Sequence, residues 1–452
     1  LTTGDDNVAV GMRTLLDLQT GNKNTALGDS AGRSITSGEE NVMVGHQAGD
    51  AVTDGGSNTI VGQNAGTSNN FSYATFIGRE AGRDVSGSSA NGQVAVGTNA
   101  LAGMTSGVNN TAVGYQAIGG GTGGANTSYN TALGYQAGKA LAGNSNGNVA
   151  IGTFALDAAA ENDRNTVIGY SAMGAADDGE DGNVVIGYSA MSAANNAAND
   201  YNVIIGYEAG QGGNGGSLSY NVAIGNLALN STDTATVNEI VAIGREACTA
   251  VTSGDANGTV AIGAFALGTL TSGKFNTAVG FASLYNGNDV GDANTAVGYF
   301  SLYNFNPSSD GHGNNTAVGY KAGFANLTSE NNTFVGARAG EDVTGASNVI
   351  IGREAALDGT SINHCVIIGS SAGSNASMTG DTNVFIGSSA GDANTNGTNN
   401  IVIGGGSDGG ATQDYQITIG SQFNNDGDDN SIQFVNGALS RRLSYDLDSG
   451  NA

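Results

Sequence analysis

The chain has 452 residues, with 76 glycines, one proline, no tryptophan and only 12% charged residues; its formal net charge is −26 and its pI lies near 4.1. So acidic a surface repels nucleic acid and anionic lipid, and the 14 basic residues form no cluster beyond Arg441-Arg442. No stretch reads as a signal peptide or a membrane span, and Leu1 is read as a start inside a longer protein.

From Asp6 to about Gly420 one pattern recurs: usually Asn, then a β-branched, an apolar and an aliphatic residue and a glycine, with Ala three places later. Anchored on the glycine there are 24 copies, from Gly11, Gly28, Gly45 and Gly62 to Gly387, Gly404 and Gly420, spaced by 16 to 21 residues. A period of about 18 is too short for helical repeats and suits one coil of a β-solenoid. The residue three before the glycine is Val, Ile or Thr and the one just before it Val, Ile or Leu in all 24 copies, which favours strands. These two columns share one face of the strand, and the residue between them points to the other.

That middle residue is also apolar in every copy except the last, where it is Thr418. A coil has one interior, so the flanking columns are expected to point inward. The middle column, with Ala26, Ala112, Ala150, Ala278, Phe334 and Phe385, is then expected to pack at an axis shared by identical chains. Asn, in 18 of 24 copies, should form an amide ladder along the stack. The glycine permits a bend, and Ala three residues on (19 copies, with Ser in 3) lets a short return strand lie close. Each coil is therefore expected to be strand, glycine bend, short strand and variable loop.

Other features follow in chain order. His46, His312 and His364 occur singly, with no metal-type or nucleophile-type spacing, and the chain is expected not to be an enzyme. Tyr follows the anchor glycine at Tyr115, Tyr135, Tyr170, Tyr188, Tyr207, Tyr299 and Tyr320, with Phe281 in the same slot. Such a stripe suits packing over the edge of the roll, with a sugar-binding ladder as the alternative. Residues 118–129 form a glycine-rich bulge. Acidic runs at 177–181 and 426–429 could hold Ca²⁺, but neither has calcium-loop spacing and both are read as solvated loops, so no cofactor is expected. Cys248 and Cys365 lie several coils apart and are expected to be free, buried thiols. Function is expected in the irregular loops, above all 302–314, the longest spacing of the chain, together with the aromatic loop before it. Tyr285, Tyr303, Phe305 and His312 are the expected receptor-binding residues. After Gly420 the spacing fails, and Ser431–Val435 and Arg442–Leu447 read as two short strands around an Asn436-Gly437 turn.

Asn110-Thr111-Ala112-Val113-Gly114-Tyr115-Gln116-Ala117 resembles the head repeat of trimeric autotransporter adhesins, a repeat also found in phage tail fibres. The resemblance implies a left-handed parallel β-roll, three chains around one axis. Residues 1–422 are then one elongated roll, and 423–452 a short β segment like the one that, in many tail fibres, leads to a downstream C-terminal region. The expectation is thus an all-β, left-handed parallel β-solenoid of about 24 short coils in a homotrimeric, extracellular, non-enzymatic fibre. It would attach to a cell-surface polysaccharide or protein receptor and contact other virion or cell-envelope proteins, without nucleic acid and without membrane insertion of this segment. A phage tail fibre leads, with the head of a bacterial trimeric surface adhesin or a purely structural extracellular filament as alternatives. An ice-binding face built from Thr25, Thr59, Thr111 and Thr131 is disfavoured, because those side chains are expected to point inward.

Overall fold

A computed structural model describes residues 4–422 apart from 69, 86–89, 121–126, 159–160, 177–178, 194–195, 197, 213–215, 233–235, 287–290, 308–312, 375–377 and 409–410, together with the backbones of 431–434 and 443–446. The fold is all-β, a parallel β-solenoid. Each copy of the repeat contributes one strand of three residues, as in Val94–Val96, Thr111–Val113 and Thr131–Leu133, and within each of two compact units every strand pairs with the next in parallel, residue against equivalent residue. The only helical piece among the described residues is a single 3₁₀ turn, Gly254–Ala256.

The chain divides into two compact units. In the first, residues 1–227 with 233–236, the strands run from Val8–Val10 to Val222–Ile224. In the second, residues 228–232 with 237–452, they run from Val241–Ile243 to Ile417–Ile419. There the terminal segment adds Ser431–Phe434 in parallel to the last repeat strand, and Leu443–Asp446 folds back antiparallel on it, with Ser431 opposite Asp446. The two strands expected after Gly420 are therefore formed; their turn, 436–437, lies outside the described residues.

One expectation is reversed. Ala26, Ala112, Ala150, Ala278, Phe334 and Phe385 are fully buried inside their own coils, whereas the flanking columns face outward, with Leu27 and Leu133 each 48% exposed. The middle column is core and not a trimer axis. The reason lies in strand alternation combined with the asparagine, which stands two residues before the middle residue and so shares its face. Asn24, Asn41 and Asn58 are buried, and Asn24 and Asn41 each accept on Oδ1 both the backbone N–H and the side-chain amide of the next asparagine in the stack: Asn41 donates to Asn24 at 3.1 and 3.0 Å, while Asn58 accepts only the backbone N–H of Ala74, at 2.9 Å. The remaining amide proton goes to a loop carbonyl, Gly55 for Asn41, at 2.9 Å. A ladder so completely satisfied is stable only in the interior, and it carries the middle residue in with it. For the same reason Thr25, Thr59, Thr111 and Thr131 point outward, against expectation, with Thr25 and Thr131 exposed.

The second short strand is not formed either. After the glycine the chain runs through turns, because alternate residues are left-handed: Gly45 at φ 136°, Gln47 at 56° and Gly49 at 63°. At Gly114 a Cβ would lie 2.2 Å from the carbonyl oxygen of Gly134 in the next coil, so this column is glycine for both its φ of 136° and the close stacking of coils.

Core volume is conserved by compensation between two columns. Where the middle residue is Phe, the residue four after the anchor glycine is itself glycine: Phe76 with Gly82, Phe334 with Gly340 and Phe385 with Gly391. Where it is Ala, the partner is commonly large and buried, as in Ala95 with Leu101, Ala112 with Ile118, Ala150 with Leu156 and Ala278 with Leu284. The partner's backbone is left-handed in both cases, φ 57° at Gly340 and 46° at Ile118, so these glycines supply space rather than conformational freedom.

Candidate functional site

Two loop features interleave with the coils. Two residues before the ladder asparagine stands a second, outer ladder of Asn and Asp side chains: Asn146 donates its backbone N–H to Asp163 (2.6 Å), Asp163 to Asp181 (2.8 Å) and Asp181 to Asp200 (2.8 Å). Several acidic side chains thus cap backbone amides. Asp181, in the first acidic run, accepts this bond and pairs with Arg164 at 3.3 Å, while 177–178 and the whole run 426–429 lie outside the described residues. Among the described residues no three His, Cys, Asp or Glu side chains converge, and no helix is long and apolar enough to cross a membrane. Cys248 and Cys365 are free and buried, as expected, and burial pushes their thiols up to about 12 and about 11. Cys365 occupies a ladder position, where its backbone N–H bonds Asn348 at 2.9 Å.

The tyrosine stripe is a stack of rings. Tyr115 and Tyr135 lie 5.3 Å apart and 11° from parallel, Tyr170 and Tyr188 5.2 Å apart at 9°, and Tyr188 and Tyr207 5.4 Å apart at 7°. Within each stack neighbouring rings cover faces of one another, so the stripe shows fewer of the flat faces on which a sugar would stack.

In the second unit the aromatic residues form a site instead. Phe265 and Phe300 occupy the position two after the anchor glycine in coils on either side of the coil that carries Ala282 there. The missing side chain at Ala282 leaves a cavity of about 280 Å³, lined by Phe265, Phe281, Ala282, Tyr285, Phe300 and Tyr303. Its walls stand at steep angles: Phe265 to Phe281 at 83°, Phe265 to Tyr285 at 89° and Phe300 to Tyr303 at 64°. Tyr285 and Tyr303 stack at 5.5 Å, and Tyr303 continues onto Phe324 at 5.4 Å. Beyond the cavity the rings already hold cations, Arg245 lying 4.3 Å over Phe265 and Lys321 4.9 Å over Phe324.

Of the expected receptor-binding residues, the structure brings Tyr285 and Tyr303 together. Phe305 is fully buried, its backbone N–H bonded to Leu302 at 3.1 Å, and is core beneath the loop rather than a contact residue. His312 lies outside the described residues. Phe265, Phe281, Phe300 and Ala282 were not among the expected site residues. The usable signal was columnar, an alanine between two phenylalanines one coil to either side. No family model matches the chain, and no curated protein does.

Proposed function

We propose that the chain is the non-enzymatic subunit of a homotrimeric extracellular fibre that attaches to a host cell surface, a phage tail fibre in the first instance and the head of a bacterial trimeric surface adhesin as the alternative. The observation that supports it is the outer face of the strands. Two columns of aliphatic and Thr residues, one residue apart and in register along each unit, stand partly exposed: Leu133 48%, Ile77 40%, Val318 38%, Ile403 37%. A continuous apolar stripe of this kind on a chain of net charge −26 calls for a cover, and a second and third copy of the same stripe supply it. On this reading the flanking columns are the shared surface. Attachment then falls to the aromatic site, with other virion or cell-envelope proteins at the ends of the fibre.

The test is sedimentation at micromolar concentration of the native chain and of Leu133→Asp combined with Val318→Asp. Three chains per particle are expected for the first, and folded single chains for the second. A monodisperse native monomer, or a trimer indifferent to both aspartates, sinks the proposal. The outward Thr column gives the ice-binding reading a footing it lacked in the sequence. Only some copies carry Thr there, alternating irregularly with Val, and a thermal-hysteresis measurement decides the matter.

A further inference from the structure

We propose that the cavity over Ala282 is a cage for a quaternary ammonium group, the head group of choline and its derivatives. The proposal deepens the attachment reading and rests on it for the biological setting alone. Five aromatic rings and one alanine methyl line the cavity, and no charged side chain does. A neutral sugar of matching size needs partners for several hydroxyls, and the walls offer only the two tyrosine hydroxyls. A quaternary ammonium needs none. It carries no N–H, and what attracts it is the negative face of an aromatic ring.

The coil spacing sets the fit. Phe265 and Phe300 stand two coils apart, about 9.6 Å at the usual interstrand distance, so a cation centred on the Ala282 coil lies about 4.8 Å from each ring. That is inside the roughly 6 Å range of the cation–π interaction. The same patch already works this way within the chain. Arg245, one coil before Phe265, lies over that ring at 4.3 Å, and Lys321, one coil after Phe300, lies over Phe324 at 4.9 Å. Arg245 approaches Phe265 from the coil away from Ala282, so it does not occupy the side of the ring that lines the cavity with Phe281 and Tyr285. Between these two internal cations the Ala282 position is the gap in the series. Charge complementarity points the same way, since a chain of net charge −26 concentrates cations at its surface.

The experiment titrates the full chain with choline chloride, tetramethylammonium chloride and the uncharged tert-butyl isostere of choline, followed by tyrosine fluorescence and proton NMR. Both cations are expected to bind, and the isostere at least about tenfold more weakly. Ala282→Phe fills the gap and should abolish binding with an unchanged circular dichroism spectrum. Ala282→Gln does so with a residue that four other coils carry in this column, at Gln47, Gln116, Gln136 and Gln422. No binding by the native chain, an isostere as good as choline, or a folded Ala282 variant that still binds overturns the proposal, and the isostere comparison decides even if both variants misfold. Phosphatidylcholine vesicles set against phosphatidylglycerol vesicles, and a phosphocholine-substituted glycan set against its bare form, separate the lipid source from the glycan source. A trimer that attaches to cells yet ignores every choline probe sinks this proposal alone. A monomer that binds choline sinks the fibre alone.

Discussion

Each rung of the inner ladder contributes only if the rung before it offers an oxygen, and Thr259 breaks that rule. It stands in an asparagine position, fully buried, and the Nδ2 of Asn276 in the next coil is left without a partner, whereas Asn276 itself serves Asn294 at 2.9 and 3.1 Å. An orphaned buried amide costs about 1–3 kcal/mol. Thr259→Asn should therefore stabilise the second unit by about 1 kcal/mol, read as a raised denaturant midpoint at constant slope. An unchanged or lowered midpoint would show that the hydroxyl is better placed than the missing amide. A different single-residue effect is expected at Glu341. Burial pushes its carboxyl up, but hydrogen bonds from Arg338 and from Lys321, at 3.0 Å, outweigh burial and hold it below the ordinary 4.5. A carboxyl whose folded value is depressed contributes stability that is complete above its unfolded value and is lost as pH falls through the folded one. The melting-temperature gap between the native chain and Glu341→Gln should accordingly be widest near neutral pH and close below about 4.5. A gap that does not change with pH refutes the ion-pair account.

At the scale of the element, the coil is a volume constraint. A Cβ on Gly340 would lie 2.4 Å from the ring of Phe334, so Gly340→Leu alone should destabilise strongly. Phe334→Ala alone should cost about 3–5 kcal/mol through the cavity it leaves. Combined, the two reproduce the pairing of Ala150 with Leu156, and the double variant should recover at least half of the summed loss. Additive losses in denaturant titrations would mean that the two columns do not pack on each other. This compensation also explains what could be read from the sequence and what could not. The strands, their parallel register and the asparagine ladder follow from columns repeated in 24 copies. Inside and outside did not follow, because Thr111, Ala112 and Val113 present an apolar group on both faces and hydropathy cannot choose between them. The choice was present in Asn110, which shares a face with Ala112, and in the exchange of size between Phe334 and Gly340, which only a closed interior requires. The aromatic site was legible in part. Tyr285 and Tyr303 stand out as loop aromatics, but Phe305 has the same appearance and is core, because nothing in a loop's composition says which ring turns inward.

For the whole molecule, the trimer proposed for the outer face must form against its own charge. Three chains carry 3 × −26 = −78, and only 14 Lys and Arg per chain offset the 40 Asp and Glu. Several acidic side chains, Asp163, Asp181 and Asp200 among them, are fixed in loop ladders by backbone amides and cannot move away from a partner. The attraction is apolar: Val, Ile, Leu and Thr from two columns, repeated coil after coil, at about 25 cal/mol per Å² buried. Apolar burial is little affected by modest sodium chloride, while repulsion between exposed charges is screened as the Debye length falls from about 30 Å at 0.01 M to about 10 Å at 0.1 M. Association should therefore tighten with salt, the opposite of an assembly held by ion pairs. Sedimentation of a dilution series at 0.01 M and 0.1 M sodium chloride measures it, with more trimer expected at the higher salt for the same chain concentration. Dissociation on adding salt would mean that complementary charges rather than the aliphatic columns hold the chains together, and the shared surface would then have to be sought among the loops.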